Sequence, residues 1–299
     1  MFFTILMVLG IQVVLPAVFL ITLWRADFKS RWEWMVEAGV TVFLSAWLFQ
    51  AGNWSWIGYY FRYLLVVLLI VALIRSWMKV RELPSKVASD EKRKLSMGVS
   101  IFLLVIFGAY NVFTVAGYST SEPALELTFP LNEGTYYIGH GGNSRLLNYH
   151  KSHEPQQFAL DILKVNAFGI RAKGLYPKKL ENYYIFEDDL FSPCTGTVTE
   201  IENSLPDLTP PEADPDNATG NYVALTCEDS DAIVYLAHMK KGSVTVDLDE
   251  IVEVGQKIGK VGNSGNTSEP HLHIHAEKDG IGIPIRFDGK FLLRNQLVR

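Results

Sequence analysis

Four long apolar stretches fall within the first 118 residues of this 299-residue chain. About 20 apolar residues are enough to carry a helix across the hydrocarbon core of a bilayer. Residues 2–24 and 98–118 are uncharged, and residues 38–56 are uncharged but hold Gln50 and Asn53 near their end. Residues 57–74 contain Arg62, close enough to one end for its guanidinium to reach the interface. The first stretch is too long for a cleaved signal peptide and lacks the small-residue cleavage site. The expected architecture is an N-terminal α-helical transmembrane bundle of about four spans over 1–118. A separate domain, 119–299, follows with the composition of an ordinary soluble β-rich protein.

Charge sets the expected orientation. Arg25, Lys29 and Arg31 lie between spans one and two, and Arg75, Lys79, Arg81, Lys86, Lys92, Arg93 and Lys94 between spans three and four. The link between spans two and three has no Lys or Arg. Both basic loops are therefore expected in the cytoplasm, with the N-terminus and 119–299 outside. Trp24, Trp54, Trp56, Tyr59, Tyr60 and Tyr118 suit an interfacial aromatic belt. The bundle reads as a tether. A transport bundle would carry acids within its spans, and the nearest, Glu33 and Glu37, fall just outside span two. The net charge of −5 averages two unlike halves, and the absence of a basic stripe in 119–299 argues against a nucleic-acid partner.

In the second half, short β-type runs stand between turn residues. Strands are expected at 135–138, 158–163, 196–201, 222–226, 232–238, 243–246, 257–261 and 271–276. Residues 205–220, with Pro206, Pro210, Pro211 and Pro215, read as an inserted loop. Cys194 and Cys227 are either a disulfide of an extracytoplasmic domain or two buried thiols.

The chemistry concentrates in His271-Leu272-His273-Ile274-His275. Alternate residues of a strand share a face, so three imidazoles project one way while Leu272 and Ile274 project into the core. Imidazole is a common zinc ligand and a neutral-pH base. The chain has only 7 histidines, all after the last span, so three alternating ones are unlike a plain polar face.

Around this strand lie His238-Met239 with Gly242-Ser243-Val244, then Val254-Gly255-Gln256-Lys257-Ile258-Gly259, then Val261-Gly262-Asn263-Ser264-Gly265-Asn266-Thr267 and Pro270-His271-Leu272-His273. This ordered set resembles the core motifs of lysostaphin/LytM-type zinc metallopeptidases from about Ser192 to His275, with a weaker likeness back to Asp161. The resemblance implies a small all-β, barrel-like peptidase domain. It also implies a zinc cofactor, a peptidoglycan stem peptide or cross-bridge as substrate, and residence on the outer side of a bacterial inner membrane. Residue by residue, it gives His273 and Asp161 as zinc ligands, and His238 and His271 as catalytic histidines. His275 has no set role and reads as a supporting or groove residue.

One position departs from the pattern. Such peptidases usually carry H-x-x-x-D, but Gln157 stands four residues before Asp161. Neutral glutamine is a poor zinc ligand. His150 is the expected replacement, with His140 and His153 as other choices, and Gly141 to Lys151 is a candidate occluding segment. The expected function is hydrolysis of peptide bonds by a membrane-anchored zinc endopeptidase. The alternatives are a degenerate domain that binds cell-wall peptides or regulates another hydrolase, and a membrane sensor. The oligomeric state is left open.

Overall fold

The computed structural model describes residues 1–299 except 89 and 229. The chain divides into two compact units: one of Phe2–Asn53 and Tyr60–Val115, the other of Trp54–Tyr59 with Ala116–Arg299.

The first unit is helical. α1 (Phe2–Leu9), a π-helical turn (Gly10–Val14) and α2 (Leu15–Arg25) form one run, followed by α3 (Arg31–Ala51), α4 (Phe61–Val80) and α5 (Glu91–Ala116). Among the described residues, four helical runs are long and apolar enough to cross a membrane.

Their limits correct the hydropathy reading. Residues 38–56 are not one span. α3 starts at Arg31, where the Ser30 hydroxyl accepts the Glu33 N–H (3.2 Å) and the Glu33 carboxylate accepts the Lys29 N–H (2.8 Å). It stops at Ala51, and Trp54–Trp56 form a separate 3-10 turn. Glu33 and Glu37 therefore lie inside the helix. Glu33 pairs with Arg93 at 3.2 Å, and Glu37 accepts a hydrogen bond from Ser100. α4 begins at Phe61 rather than residue 57, and α5 at Glu91 rather than residue 98. Hydropathy marks only the apolar middle of a helix, whereas backbone hydrogen bonding continues through charged turns whose side chains find partners.

The second unit is β-rich. Its strands are β1 (Leu125–Leu127), β2 (Thr135–His140), β3 (Leu160–Val165), β4 (Asp189–Phe191), β5 (Gly196–Glu202), β6 (Asn221–Cys227) and β7 (Ile233–Met239). After them come β8 (Ile251–Val252), β9 (Lys257–Lys260), β10 (Leu272–Lys278), β11 (Ile281–Ile283), β12 (Ile285–Phe287) and β13 (Leu297–Val298). The main sheet is antiparallel, in the order β13-β2-β3-β10-β7-β6-β5-β8, with β11 also on β10. No pairing joins its two ends among the described residues, so the expected barrel is an open sheet. Residues 243–246 form no strand. Gly242 turns the chain at φ +68°, and past it Thr245 N–H makes a single link to Ile258 O (3.1 Å), too little for a ladder.

The core face follows the pleat. Leu272 and Ile274 of β10, Leu160 and Ile162 of β3, and Val234 and Leu236 of β7 all join one buried apolar cluster. Each such side chain contributes about 1.5–3 kcal/mol by leaving water. A one-residue slip would turn every one of them outward, so the register is strongly specified. Cys194 and Cys227 form a disulfide between the approach to β5 and the end of β6, with a Cα–Cα distance of 5.8 Å.

Candidate metal centre

β10 lies between β3 and β7, and its register sets His273 opposite Asp161 on β3 and opposite Ala237 on β7. Since Leu272 and Ile274 face the core, His273 and Asp161 share the other face. His273 Nδ1 is 3.1 Å from Asp161 Oδ1. Its second nitrogen, Nε2, is 3.0 Å from His275 Nδ1. The His275 ring lies parallel to Tyr235, with centroids 4.9 Å apart and planes 6° apart. His275 thus fixes the orientation of the His273 ring.

His150 arrives from outside the sheet. It sits in a 3-10 turn (Tyr149–Ser152) capped by Asn148, whose side-chain oxygen accepts the His150 N–H at 3.2 Å. The Asn148 amide donates to Ala159 O (2.9 Å) and Gly142 O (3.3 Å), binding the turn to the start of β3. The His150 ring lies against Tyr149, with centroids 3.9 Å apart. His150 Nε2 is 3.0 and 3.1 Å from the two Asp161 oxygens.

One ligand-capable atom each from His150, Asp161 and His273 lies within 4.8 Å of the others, and all three residues are buried. Zinc bonds of 2.0–2.2 Å at tetrahedral angles put ligand atoms about 3.3 Å apart. The observed contacts of 3.0 and 3.1 Å are close to that spacing. Two imidazole nitrogens and one carboxylate are also the donor set of a catalytic zinc. These residues fit the ion.

Gln157, at the position where a histidine is usual, turns away from this cluster. Its amide donates to Gly282 O (3.0 Å), and its oxygen accepts from Lys151 Nζ (2.8 Å). It therefore ties down the turn that carries His150. Segment 141–151 contributes a side chain to the site. The other histidines go elsewhere: His153 is exposed, and His140 Nδ1 accepts from Arg294 Nη1 at 3.3 Å.

His238 and His271 flank the cluster, with rings 4.8 Å apart. His238 ends β7 with φ +59°, an uncommon left-handed conformation for a residue with a Cβ. Its Nδ1 donates to Ser264 O at 2.9 Å. His271 Nδ1 donates to Glu269 O at 2.8 Å. In both rings the proton on Nδ1 leaves the Nε2 lone pair free. His271 Nε2 is 3.5 Å from Asp161 Oδ1 and makes no hydrogen bond among the described residues.

Charge follows geometry. Burial works to raise the Asp161 carboxyl, but His150 and His271 beside it hold it well below the usual carboxylate range. Burial opposes a charge on His271, and the nearby Asp161 carboxylate overrides it, so His271 is raised. Burial lowers His273 to about 4. Burial, and then His271, hold His238 well below its ordinary value.

Sequence reasoning passed over Asn148, Arg171 and the role of Glu269. The Asn148-Tyr149-His150 triplet carried a signal, since Asn is a strong cap residue. For Arg171 no local signal exists, because its partners are distant in the chain.

Comparison with known proteins finds both a sequence family and solved structures that resemble parts of the chain. Residues 187–284 match the sequence model of Peptidase family M23. That span includes His238, His271 and His273, and begins after Asp161. Among solved structures, the chain is similar to a zinc containing peptidase from Vibrio cholerae, with 17% identity, 54% of this chain and 39% of that one covered, and a TM-score of 0.34. It is also similar to lysostaphin, with 15% identity, 49% and 47% covered, and a TM-score of 0.30. The chain spans less than two thirds of each of those proteins. No curated protein sequence matches it. Residues 187–284 are thus the part of the chain that is similar to Peptidase family M23.

Proposed function

We propose that this chain is a membrane-anchored zinc metalloendopeptidase that hydrolyses peptide bonds in peptidoglycan stem peptides or cross-bridges. The observation that carries the reading is the convergence of His150, Asp161 and His273, with two further imidazoles beside them. His150 Nε2, the Asp161 carboxylate and His273 Nδ1 would hold the ion. A zinc bound there supplies a Lewis acid for the scissile carbonyl and makes an attacking water more acidic.

The chain's own residues do the rest. His271 and His238 each keep Nδ1 protonated on a backbone carbonyl, so each presents Nε2 as a proton acceptor. One takes the proton of the attacking water and hands it on to the leaving amine, while the other, when it has taken a proton from solvent, stabilises the oxyanion. His275 and Tyr235 keep the His273 ring from rotating. The four helical runs would anchor the enzyme, with both basic loops in the cytoplasm and the β unit outside. Gln157 favoured a degenerate, binding-only domain, and the imidazole of His150 beside Asp161 supports catalysis instead.

The test uses the full chain in detergent. Metal analysis should find about one zinc per chain. The protein should release new amino termini from purified peptidoglycan, lose that activity to a chelator, and regain it with added zinc. A chain that binds zinc but releases no amino termini would sink the peptidase reading.

A further inference from the structure

The M23 region makes up only part of the β unit. Trp54–Tyr59, the short connection between α3 and α4, belongs to the same compact unit as residues 116–299. Two backbone hydrogen bonds build it in: Arg171 N–H to Ser55 O (3.1 Å) and Tyr59 N–H to Gly169 O (3.1 Å). Gly169 has φ +74°, and a Cβ there would stand 2.3 Å from the Tyr59 Cβ. The approach therefore needs glycine.

This placement puts Trp56 over Arg171. The guanidinium carbon is 3.8 Å from the Trp56 ring centroid. Arg171 is almost fully buried, and its guanidinium nitrogens reach Glu269 and Leu175. Its Nε is 2.7 and 2.9 Å from the two Glu269 oxygens, and its Nη2 is 2.7 Å from Oε2. Nη2 also donates to Leu175 O at 3.0 Å. Tyr176 packs on Trp56 with centroids 5.1 Å apart, and its hydroxyl donates to Ser268 O at 3.0 Å. Trp56 and its two neighbours therefore hold residues 268 and 269 at once. Glu269 is also the residue whose carbonyl accepts from His271 Nδ1 (2.8 Å), with Thr267 Oγ1 donating to the same oxygen at 2.8 Å.

A buried ion pair is poor evidence of stabilisation, because desolvation offsets most of its attraction. A planar, forked guanidinium does set its carboxylate partner in one place, and an aromatic face in turn sets the guanidinium plane. We infer that Trp56 and Arg171 are positioning residues: they hold Glu269, and through its carbonyl oxygen they set the ring plane and tautomer of His271. The kinetic side of this inference rests on the peptidase reading above. The spectroscopic side does not. It follows that the connection between two of the long apolar helices is a working part of the β unit, although no sequence motif joins them.

The experiment uses the full chain in detergent, with Trp56→Ala, Trp56→Phe and Glu269→Gln compared with the parent. Four quantities are read: zinc content, kcat and KM on peptidoglycan fragments, thermal unfolding, and the 15N spectrum of labelled histidine. The His271 signals are identified by their loss in His271→Ala. A displacement of about 1 Å at a catalytic group lowers rate by about a hundredfold. Trp56→Ala should lower kcat by about tenfold to a hundredfold, with KM and zinc content within about twofold of the parent. Its His271 spectrum should change from one Nδ1-protonated form to a mixture. Glu269→Gln should weaken the Arg171 contact and shift the spectrum the same way. Trp56→Phe, which keeps an aromatic face, should restore most of the kcat and the single form. Unchanged His271 signals in both Trp56→Ala and Glu269→Gln would overturn the inference. So would a fall in kcat that only tracks lost zinc or lost folding. If the parent hydrolyses no peptidoglycan, the peptidase reading fails while the histidine spectra still decide the positioning role.

Discussion

Asp161 and His273 meet because two strands pair in register, whereas His150 meets them because a turn is held by side chains. On the strand side, the contact is enforced by the whole sheet: moving His273 off Asp161 would slip β10 against β3 and expose its buried leucine and isoleucine face. On the turn side, a few local bonds carry the same duty. Asn148 caps the turn and binds it to Ala159 and Gly142, and Gln157 binds its neighbour Lys151. A ligand on a strand inherits the rigidity of the fold, while a ligand on a turn needs dedicated support.

Removing either proposed ligand tests whether both sides are needed. His273→Ala and His150→Ala should each abolish zinc retention, measured by metal analysis of the dialysed full chain. A His150→Ala protein that keeps one zinc would break the assignment of the turn as a ligand carrier and turn attention to His140 or His153.

The disulfide sharpens the comparison by separating fold from site. Cys194 and Cys227 close a loop with a sequence separation of 33. Loop entropy puts its contribution at about 3–4 kcal/mol. Replacing both with alanine should lower the unfolding free energy by about that much and leave zinc stoichiometry unchanged, because neither residue touches the cluster.

Asn148→Ala should affect the turn alone. Supporting residues around a metal are worth about 10- to 100-fold in affinity. The variant should weaken zinc binding by that amount, read by competition with a chelator. A loss of the same size in a variant of the exposed His153 would show that the effect is not specific to the cap.

The smallest effect is one of pH. The folded chain holds His238 well below its ordinary value, first through burial and then through His271. An unfolded histidine takes up its proton near pH 6.5. The stability tied to neutral His238 is therefore full above that pH and is lost as pH falls. The slope is about 1.4 kcal/mol per pH unit for one proton. Denaturation at pH 7.5 and 5.5 should show the decline, and His238→Asn should flatten the slope by about one proton's worth.

Much of the geometry of the candidate site was legible in the sequence, because periodicity carries it. Two-residue alternation put His271, His273 and His275 on one face and Leu272 and Ile274 in the core. The helical runs were countable for the same kind of reason, since hydrocarbon thickness sets a minimum apolar length. Their ends were not, because Ser30 caps α3 upstream of its charged first turns and Glu33 finds Arg93 far away in the chain. Residues 243–246 looked like a strand, since a β-type run is written in local sequence but its pairing partner is not.

What the sequence determined by itself is therefore the local and the periodic: four long apolar segments, an alternating histidine strand, and a motif set in order around it. What only the tertiary structure decided are the meetings between distant residues. It placed His150 on Asp161, turned Gln157 away to Gly282, joined Cys194 to Cys227, and set Trp56 over an arginine that grips Glu269. The physical reason is common to all four. Each contact joins residues that no repeat links, so its energy exists only once strand register and turn geometry have brought the partners together.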